Sequence, residues 1–383
     1  RPTDRRQKSD YTVEKGQNGG AKRGDLVVAD VLIGRRHGLR EARVVEVLGD
    51  MDDRRAISLI AIHSNDIPDV FPAEAVAQAE AAQPVVMSAA SKREDLRHLP
   101  LITVDGADAR DFDDAIWAAP DDDPKNKGGW QIIVAIADVS HYVTFNSALD
   151  REARRRGNSV YFPDRVVPML PEALSNNLCS LRPDEDRPVL AVTMRLDAKG
   201  RRLEHKFHRA MIRSAARVIY EDLQAAHDGE PNEQTGPILD TVIEPLYGAW
   251  GALMRARESR QPLDLDLPEM KISVGEDGHV EDVRQRQRLD AHRVIEEFMI
   301  EANVAAAETL ASEGVSVRVV DVFRLKPLDE GKLIDVMKES GAVLVCEEHT
   351  PNGGLASAIG NIIAQSRLNP KFRAATLPDV YLL

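Results

Sequence analysis

The stretch 101–116, LITVDGADARDFDDAI, constrains this chain more than any other. Leu101, Ile102, Thr103 and Val104 are apolar or β-branched and predict a strand. Asp105, Asp111, Asp113 and Asp114 follow in the pattern D-x5-D-x-D-D, and Gly106 permits a sharp turn directly after the first. Asp108, lying between them, reads as a turn residue. Ala115, Ile116 and Trp117 return the chain to apolar character. A strand, a turn and a second apolar segment fold four carboxylates toward one point, where like charges repel strongly at low dielectric. A bound cation relieves that repulsion. Hard carboxylate oxygens with no His or Cys nearby favour Mg²⁺, or Mn²⁺, over Zn²⁺. A phosphate ester is the natural substrate, because its oxygens complete the metal shell. The bland alternative is an acidic surface loop, and spacing alone leaves both readings open. Asp121, Asp122 and Asp123, followed by Pro124, are a plain acidic run and are assigned to solvent.

Charge narrows the partners. The net charge is −13, from 50 Lys plus Arg against 63 Asp plus Glu, which argues against a generic polyanion binder. It leaves room for a local basic channel, since the local field matters more than the total. Basic clusters occur at Arg35-Arg36, Arg154 to Arg156, Arg201-Arg202, and Arg284 with Arg286 and Arg288. The two cysteines, Cys179 and Cys346, make no disulfide framework, and a reducing cytoplasm is the expected setting. No apolar run approaches a membrane span, so no membrane partner is expected. The chain starts on Arg1 with polar residues; this shows no signal peptide and suggests a fragment.

Residues 1–22 are polar and Gly-rich and read as a disordered arm. Apolar runs at 26–32 and 42–48, separated by Gly and basic residues, read as a β-meander and a piece of a small antiparallel barrel. An Ala-rich helix falls within 73–90. WQIIVAIADVSHYV, residues 130–143, reads as a core strand with a polar tip. There His141 either touches a phosphate or satisfies the strand end. Residues 149–156 read as a helix closed by arginines and Gly157, and a long structured loop follows. In that loop Tyr161 and Phe162 sit beside Arg156 and its neighbours. An aromatic next to a basic run is the minimal pattern for stacking a base while holding a phosphate, and packing under the loop is the alternative. Residues 189–210 predict a hairpin about the Asp197-to-Gly200 turn, and 213–226 carry Ile219, Tyr220 and Leu223 on a helical period. A helix over 238–260, a second hairpin over 271–283 and a strong helix from Asp290 to Gly314 follow.

Four segments carry a family resemblance: HLPLITVDGADARDFDDAI, IIVAIADVSHYV, LDREARRRGNSVYFPDRVVPMLPEALSNNLCSL and IEEFMIEAN. They are long, ordered and correctly spaced, and from about 23 to 312 the chain resembles the ribonuclease R/ribonuclease II superfamily. The resemblance implies a hydrolytic 3′-to-5′ exoribonuclease that uses Mg²⁺ and degrades single-stranded RNA to nucleoside monophosphates. It implies that Asp105, Asp111, Asp113 and Asp114 form the metal and catalytic centre, and that Tyr161 and Tyr220 line the end of the RNA channel. It also implies that Glu297, rather than Glu296, contacts the terminal nucleotide. The stretch before Gln78 looks like the tail of a second cold-shock domain. The family's leading cold-shock domain, its trailing S1 domain and a later His-Phe-Thr-Ser-Pro-Ile-Arg-Arg-Tyr type segment, whose arginine contacts the scissile phosphate, are not found. A truncated and impaired enzyme is therefore expected.

Beyond residue 312 the pattern changes to strand, helix, strand, helix, with β-branched residues at 315–323 and a wholly apolar run at 343–346. The KPLD, EEH and GGL segments make 313–383 similar to the C-terminal domain of the transketolase family, which implies self-association and a chimeric chain. No thiamine diphosphate motif is present. The expected architecture is α+β. It comprises a 1–22 arm, a partial cold-shock/OB-like barrel over 23–78, a truncated ribonuclease II-type catalytic domain over 79–312 and a small βαβα unit over 313–383. A non-catalytic RNA-binding fragment and a transketolase-type assembly module are the rival functions.

Overall fold

The computed structural model describes residues 1–3, 9–36, 38–51, 53, 56–88, 91–107, 109–259, 270–275, 280–285, 287–313, 328–346 and 355–375. Its first unit is a three-stranded sheet of β1 (Tyr11–Val13), β2 (Asp25–Arg36) and β3 (Leu39–Asp50), ordered β1-β3-β2. The two apolar runs foreseen in the sequence lie inside β2 and β3, which pair antiparallel. Ala42 and Val44 are buried while Arg43 and Val45 are exposed, the period-two pattern of a sheet covered on one face. Helix α1 (Ala56–Ser64) contributes Ala56 and Ile62 to the buried side. Tyr11–Val13 correct the reading of 1–22 as a disordered arm: they pair parallel with 40–42 of β3. An edge strand needs a backbone neighbour, and composition does not reveal which segment supplies it.

Helix α2 (Ala73–Ala81) buries Ala75 and Ala79, one turn apart. The chain continues through β4 (Glu94–Asp95), β5 (Ile102–Asp105), β6 (Asp114–Pro120) and β7 (Trp130–Ala137). Then come α3 (Val139–Tyr142), α4 (Ala148–Arg156), the small hairpin β8 (Val160–Tyr161) with β9 (Val166–Val167), β10 (Asp186–Leu196), β11 (Arg202–Arg213) and β12 (Ala216–Ile219). Helices α5 (Tyr220–His227) and α6 (Glu244–Ser259), the hairpin β13 (Met270–Val274) and β14 (Val280–Gln285), and α7 (Asp290–Ser312) follow. Last come α8 (Glu330–Lys338), β15 (Ala342–Cys346), α9 (Leu355–Gln365) and β16 (Lys371–Ala375).

Seven strands form one mixed sheet, ordered β12-β5-β6-β7-β10-β11-β4. Both faces are covered, which is why β7 reads as a continuous apolar run rather than an alternating one. Ile132 and Val134 pack with Leu223 of α5, Leu246 of α6 and Phe298 of α7. Ile133 and Ala135 pack on the opposite face with Ala79 of α2, Leu149 of α4 and Leu178 of the following loop. Helix α4 is capped by Ser147, whose hydroxyl accepts from the Asp150 amide, and it stops at Gly157, whose φ is +80°.

Three local expectations are corrected. The segment 213–226 is not helical throughout. Ala216–Ile219 run as β12, parallel to β5, because Ala216 and Val218 alternate inward, and the helix starts only at Tyr220. Asp121 is not in solvent: it is bonded to Asn126, Gln131 and Arg195, and Arg195 also holds Asp123. The run at 343–346 is only partly covered, with Val345 buried and Leu344 66% exposed. There β15 and β16 pair in parallel, with α9 between them in sequence. The expected strand at 315–323 lies outside the described residues.

Candidate active site

Asp105 is the last residue of β5 and Asp114 the first of β6. These strands are antiparallel, with Ile102 opposite Ile116, so the two aspartates stand side by side at one end of the sheet. Between them residues 106, 107 and 109–113 are described as a loop carrying Asp111 and Asp113, and the expected turn residue Asp108 lies outside the described residues. Strand β12 ends on the other side of Asp105, with Ile219 as its register partner, and delivers Tyr220 to the same end.

Electrostatics link the carboxylates. Burial, then the charges of Asp113 and Asp105, push the Asp114 carboxyl up to about 7. Asp113 is raised by burial of its carboxyl and by Asp111, although its outer edge is open to solvent. Gly106 donates its amide to Asp105 Oδ1 at 2.8 Å. Tyr161, 65% exposed, donates its hydroxyl to Asp111 Oδ2 at 3.3 Å. Its own pKa is pushed up to about 12 by burial of the hydroxyl and by the Asp111 charge.

The loop is fastened from behind. The Phe112 amide donates to Ser180 Oγ at 3.3 Å, and Ser180 Oγ donates to the Arg110 carbonyl at 3.4 Å. The Leu181 amide donates to the Phe112 carbonyl at 2.6 Å, and the Ala137 amide to the Asp113 carbonyl at 2.7 Å. Arg217 Nη2 donates to the Ala109 carbonyl at 2.9 Å while its guanidinium lies 4.0 Å from the centre of the Phe112 ring. Sequence reasoning did not single out Ser180 or Arg217. Their partners are 70 and 108 residues distant, and no local pattern encodes such contacts.

Asp105, Asp111, Asp113 and Asp114 are expected to hold a metal, and they do not form a preassembled ligand group. Among the described residues, no three His, Cys, Asp or Glu side chains converge closely enough to hold an ion. The donors nevertheless suit Mg²⁺, which commonly takes one or two carboxylates and completes its shell with water and substrate phosphate oxygens. A cation would also relieve the crowding that lifts Asp114. The residues therefore fit the ion by chemistry, in an open arrangement.

The remaining candidates divide. Tyr220 stacks on His292 at 4.1 Å, at the same end of the sheet as Asp105. His141, on α3, is exposed and makes a T-shaped ring contact with Tyr142. The assignment of Arg156 to RNA is corrected: its side chain is 2% exposed, bonded to Glu152 and to the Pro168 carbonyl, and stacked 3.5 Å from the Phe71 ring centre. Glu297 is also not available at the surface. It is 2% exposed and paired with Arg257, whereas Glu296 is more open and paired with Arg288 at 2.8 Å. Both side chains are buried and already paired with an opposite charge, which keeps them from the surface.

Asp114 makes stability depend on pH. Its folded pKa, about 7, lies above its ordinary 3.8, so the folded chain holds a proton that the unfolded chain has lost. That contribution is full below about pH 4 and is lost as the pH rises to about 7. A rise of this size corresponds to about 4 kcal/mol, which solvent screening at a partly open site reduces to about 2 kcal/mol. Urea midpoints without divalent ions are expected to fall across this window, and Asp114→Asn to flatten the fall. An unchanged slope in the variant contradicts the assignment.

Comparison with known proteins places this geometry. An RNB domain matches residues 93–340, and a cold shock domain matches residues 1–72. The chain belongs to the RNB-domain family, within the ribonuclease R/II superfamily. It is similar to ribonuclease R of Escherichia coli (strain K12), with 42% identity over 312 residues, covering 80% of this chain and 38% of that protein. It is similar to ribonuclease R of Thermotoga maritima, with 38% identity over 320 residues, covering 82% and 44%. The chain thus spans less than half the length of these curated relatives. The structure of Mycoplasma genitalium RNase R in complex with double-stranded RNA superposes at a TM-score of 0.74 with 24% identity, covering 94% of this chain and 64% of that one. The apo form of the same RNase R gives 0.74 at 25% identity, covering 95% and 56%. Among the described residues no helix is long and apolar enough to cross a membrane.

Proposed function

We propose that this chain is the cold-shock and catalytic part of a Mg²⁺-dependent 3′-to-5′ exoribonuclease that hydrolyses single-stranded RNA to nucleoside monophosphates. One observation carries the reading: Asp105 ends β5, Asp114 opens β6 beside it, and the loop between them brings Asp113 close enough that, after burial, the Asp113 and Asp105 charges raise Asp114. Membership of the RNB-domain family supports it. In this reading Asp105, Asp111, Asp113 and Asp114 hold the cation, with Mn²⁺ able to replace Mg²⁺. When bound, the ion supplies charge stabilisation for the phosphate and an activated water. Tyr161 orients Asp111 through its hydroxyl and offers its exposed ring for base stacking. Tyr220, stacked on His292 at the same sheet end, is assigned to holding the last nucleotide. His141 remains an exposed phosphate contact on the nearby surface.

Three further elements belong to the proposal. The 383 residues on their own turn RNA over weakly, because they span 38% of a full-length relative. The RNB match runs to residue 340, past the expected join at 312, so a transketolase C-terminal-like part is confined to about 341–383, where exposed Leu344 and Phe372 would support self-association. The setting is cytoplasmic, in keeping with two cysteines.

The test is degradation of a 3′-labelled single-stranded oligoribonucleotide with Mg²⁺ against chelator. Slow, chelator-sensitive release of mononucleotides is expected. A second reading, RNA binding without turnover, is favoured by the lack of a three-ligand group among the described residues. Binding with no turnover at any Mg²⁺ or Mn²⁺ concentration selects it.

A further inference from the structure

We infer that Arg217 is a positioning residue for the acidic centre: it holds the loop 106–113 so that Asp111 and Asp113 stay beside Asp105 and Asp114. The inference rests on the nuclease reading for its consequence, though not for its geometry. The loop has a mechanical problem. It must present two carboxylates to two others, and mutual repulsion drives the loop tip outward. Nothing in its composition resists this, since Gly106, Ala107 and Ala109 are small. Resistance comes from partners distant in sequence. Arg217 projects from β12, whose neighbours Ala216 and Val218 are locked in the core. Its guanidinium covers the Phe112 ring at 4.0 Å and donates to the Ala109 carbonyl at 2.9 Å.

Ser180 bridges the Phe112 amide and the Arg110 carbonyl from the opposite segment, and Leu181 takes the Phe112 carbonyl. Backbone groups of residues 109, 110 and 112 are thus held by two separate elements, β12 and the 174–181 segment. The Arg217 guanidinium meets the Ala109 carbonyl and the Phe112 ring, so it acts through the loop. Lysine does not replace it. A point charge on a flexible stem does not stack on a ring and donate in the ring's plane together, as a planar guanidinium does.

The experiment compares the full chain with Arg217→Ala, Arg217→Lys and Ser180→Ala by four measurements. These are amide hydrogen exchange, Mn²⁺ binding by calorimetry without RNA, RNA affinity in chelator, and turnover. In Arg217→Ala the Ala109 and Phe112 amides are expected to exchange about tenfold faster or more, and Mn²⁺ affinity and kcat to fall about ten- to a hundredfold. RNA affinity in chelator and exchange in β7 are expected to stay as in the parent. Arg217→Lys restores little, and Ser180→Ala gives a milder version of the same pattern. Unchanged loop exchange overturns the inference whatever the activity does, as does a loss of RNA affinity in chelator, which marks a direct RNA contact. If the parent neither binds Mn²⁺ nor degrades RNA, while loop exchange still responds to Arg217, the nuclease reading falls and the positioning of the loop stands.

Discussion

Asp113→Asn is expected to lower Mg²⁺-dependent RNA turnover by about a thousandfold, the loss of several kcal/mol of charge stabilisation, without destabilising the protein. The two halves of this expectation have one origin. In the folded chain without cations, burial and the Asp111 charge resist ionisation of Asp113, and Asp113 in turn raises Asp114. Ionising Asp113 or Asp114 therefore costs folding free energy, which a bound cation offsets. Asparagine has nearly the same shape, keeps the backbone bond from the Ala137 amide to the residue 113 carbonyl, and removes one of the mutually repelling charges. The cation-free protein is thus expected to unfold at the same temperature or a higher one. Added Mg²⁺ should raise the melting temperature of the parent more than that of the variant, because a ligand stabilises only through the state that binds it. Initial rates on a labelled oligoribonucleotide and melting curves with and without Mg²⁺ check both halves. Parent-like turnover in the variant removes Asp113 from the centre. A clear drop in cation-free melting temperature would mean that its carboxylate is a structural acceptor instead.

Legibility followed the range of the interactions involved. The strand before Asp105 and the hairpin about Asp197–Gly200 were readable because β-branched apolar composition and turn chemistry are local. The both-faced burial of β7 was written in its uninterrupted apolar run. The side-by-side placement of Asp105 and Asp114 was readable too, since a strand, a short loop and a second strand leave few alternatives. Other features depended on partners that no local pattern names. Strand β12 hid inside an apparent helical period because its parallel pairing to β5 decides its state, and Ile219 and Tyr220 fit either template. Asp121 looked like any acidic residue in a run until Arg195, 74 residues later, was folded against it. The same blindness concealed Ser180 and Arg217, which touch the acidic loop through its backbone. It also misassigned Arg156 and Glu297: a charged residue in a basic run or on a helix is read as exposed by default, and only the fold shows that its partner is buried with it.

Arg156→Ala is expected to destabilise the protein by about 3–5 kcal/mol, the cost of leaving a buried charge without its partner, and to leave RNA affinity of the folded protein unchanged. Glu152, itself buried, would keep only the longer contact to the exposed Arg155 at 3.4 Å. The Pro168 carbonyl would lose its donor, and the face of Phe71 its cover. Phe71 lies within the cold-shock match and Glu152 and Pro168 within the RNB match, so this one guanidinium ties the first unit to the second. Ser58, also within the cold-shock match, is bonded to Asp164 and reinforces the same junction but replaces none of these contacts. Arg156→Lys keeps the charge without the planar stack and is expected to fall between parent and alanine variant. Denaturant unfolding followed by tryptophan fluorescence measures the loss. RNA affinity, measured where the variant is still folded, separates the two roles proposed for this residue. A phosphate contact would weaken binding and lower its salt dependence by about one counterion, whereas a side chain 2% exposed between Glu152 and Phe71 changes neither. Arg154 and Arg155, 59% and 62% exposed on the same helix, are the residues whose replacement should shift the salt slope instead. Unaltered stability in Arg156→Ala, with weakened RNA binding, would restore the surface reading of this arginine.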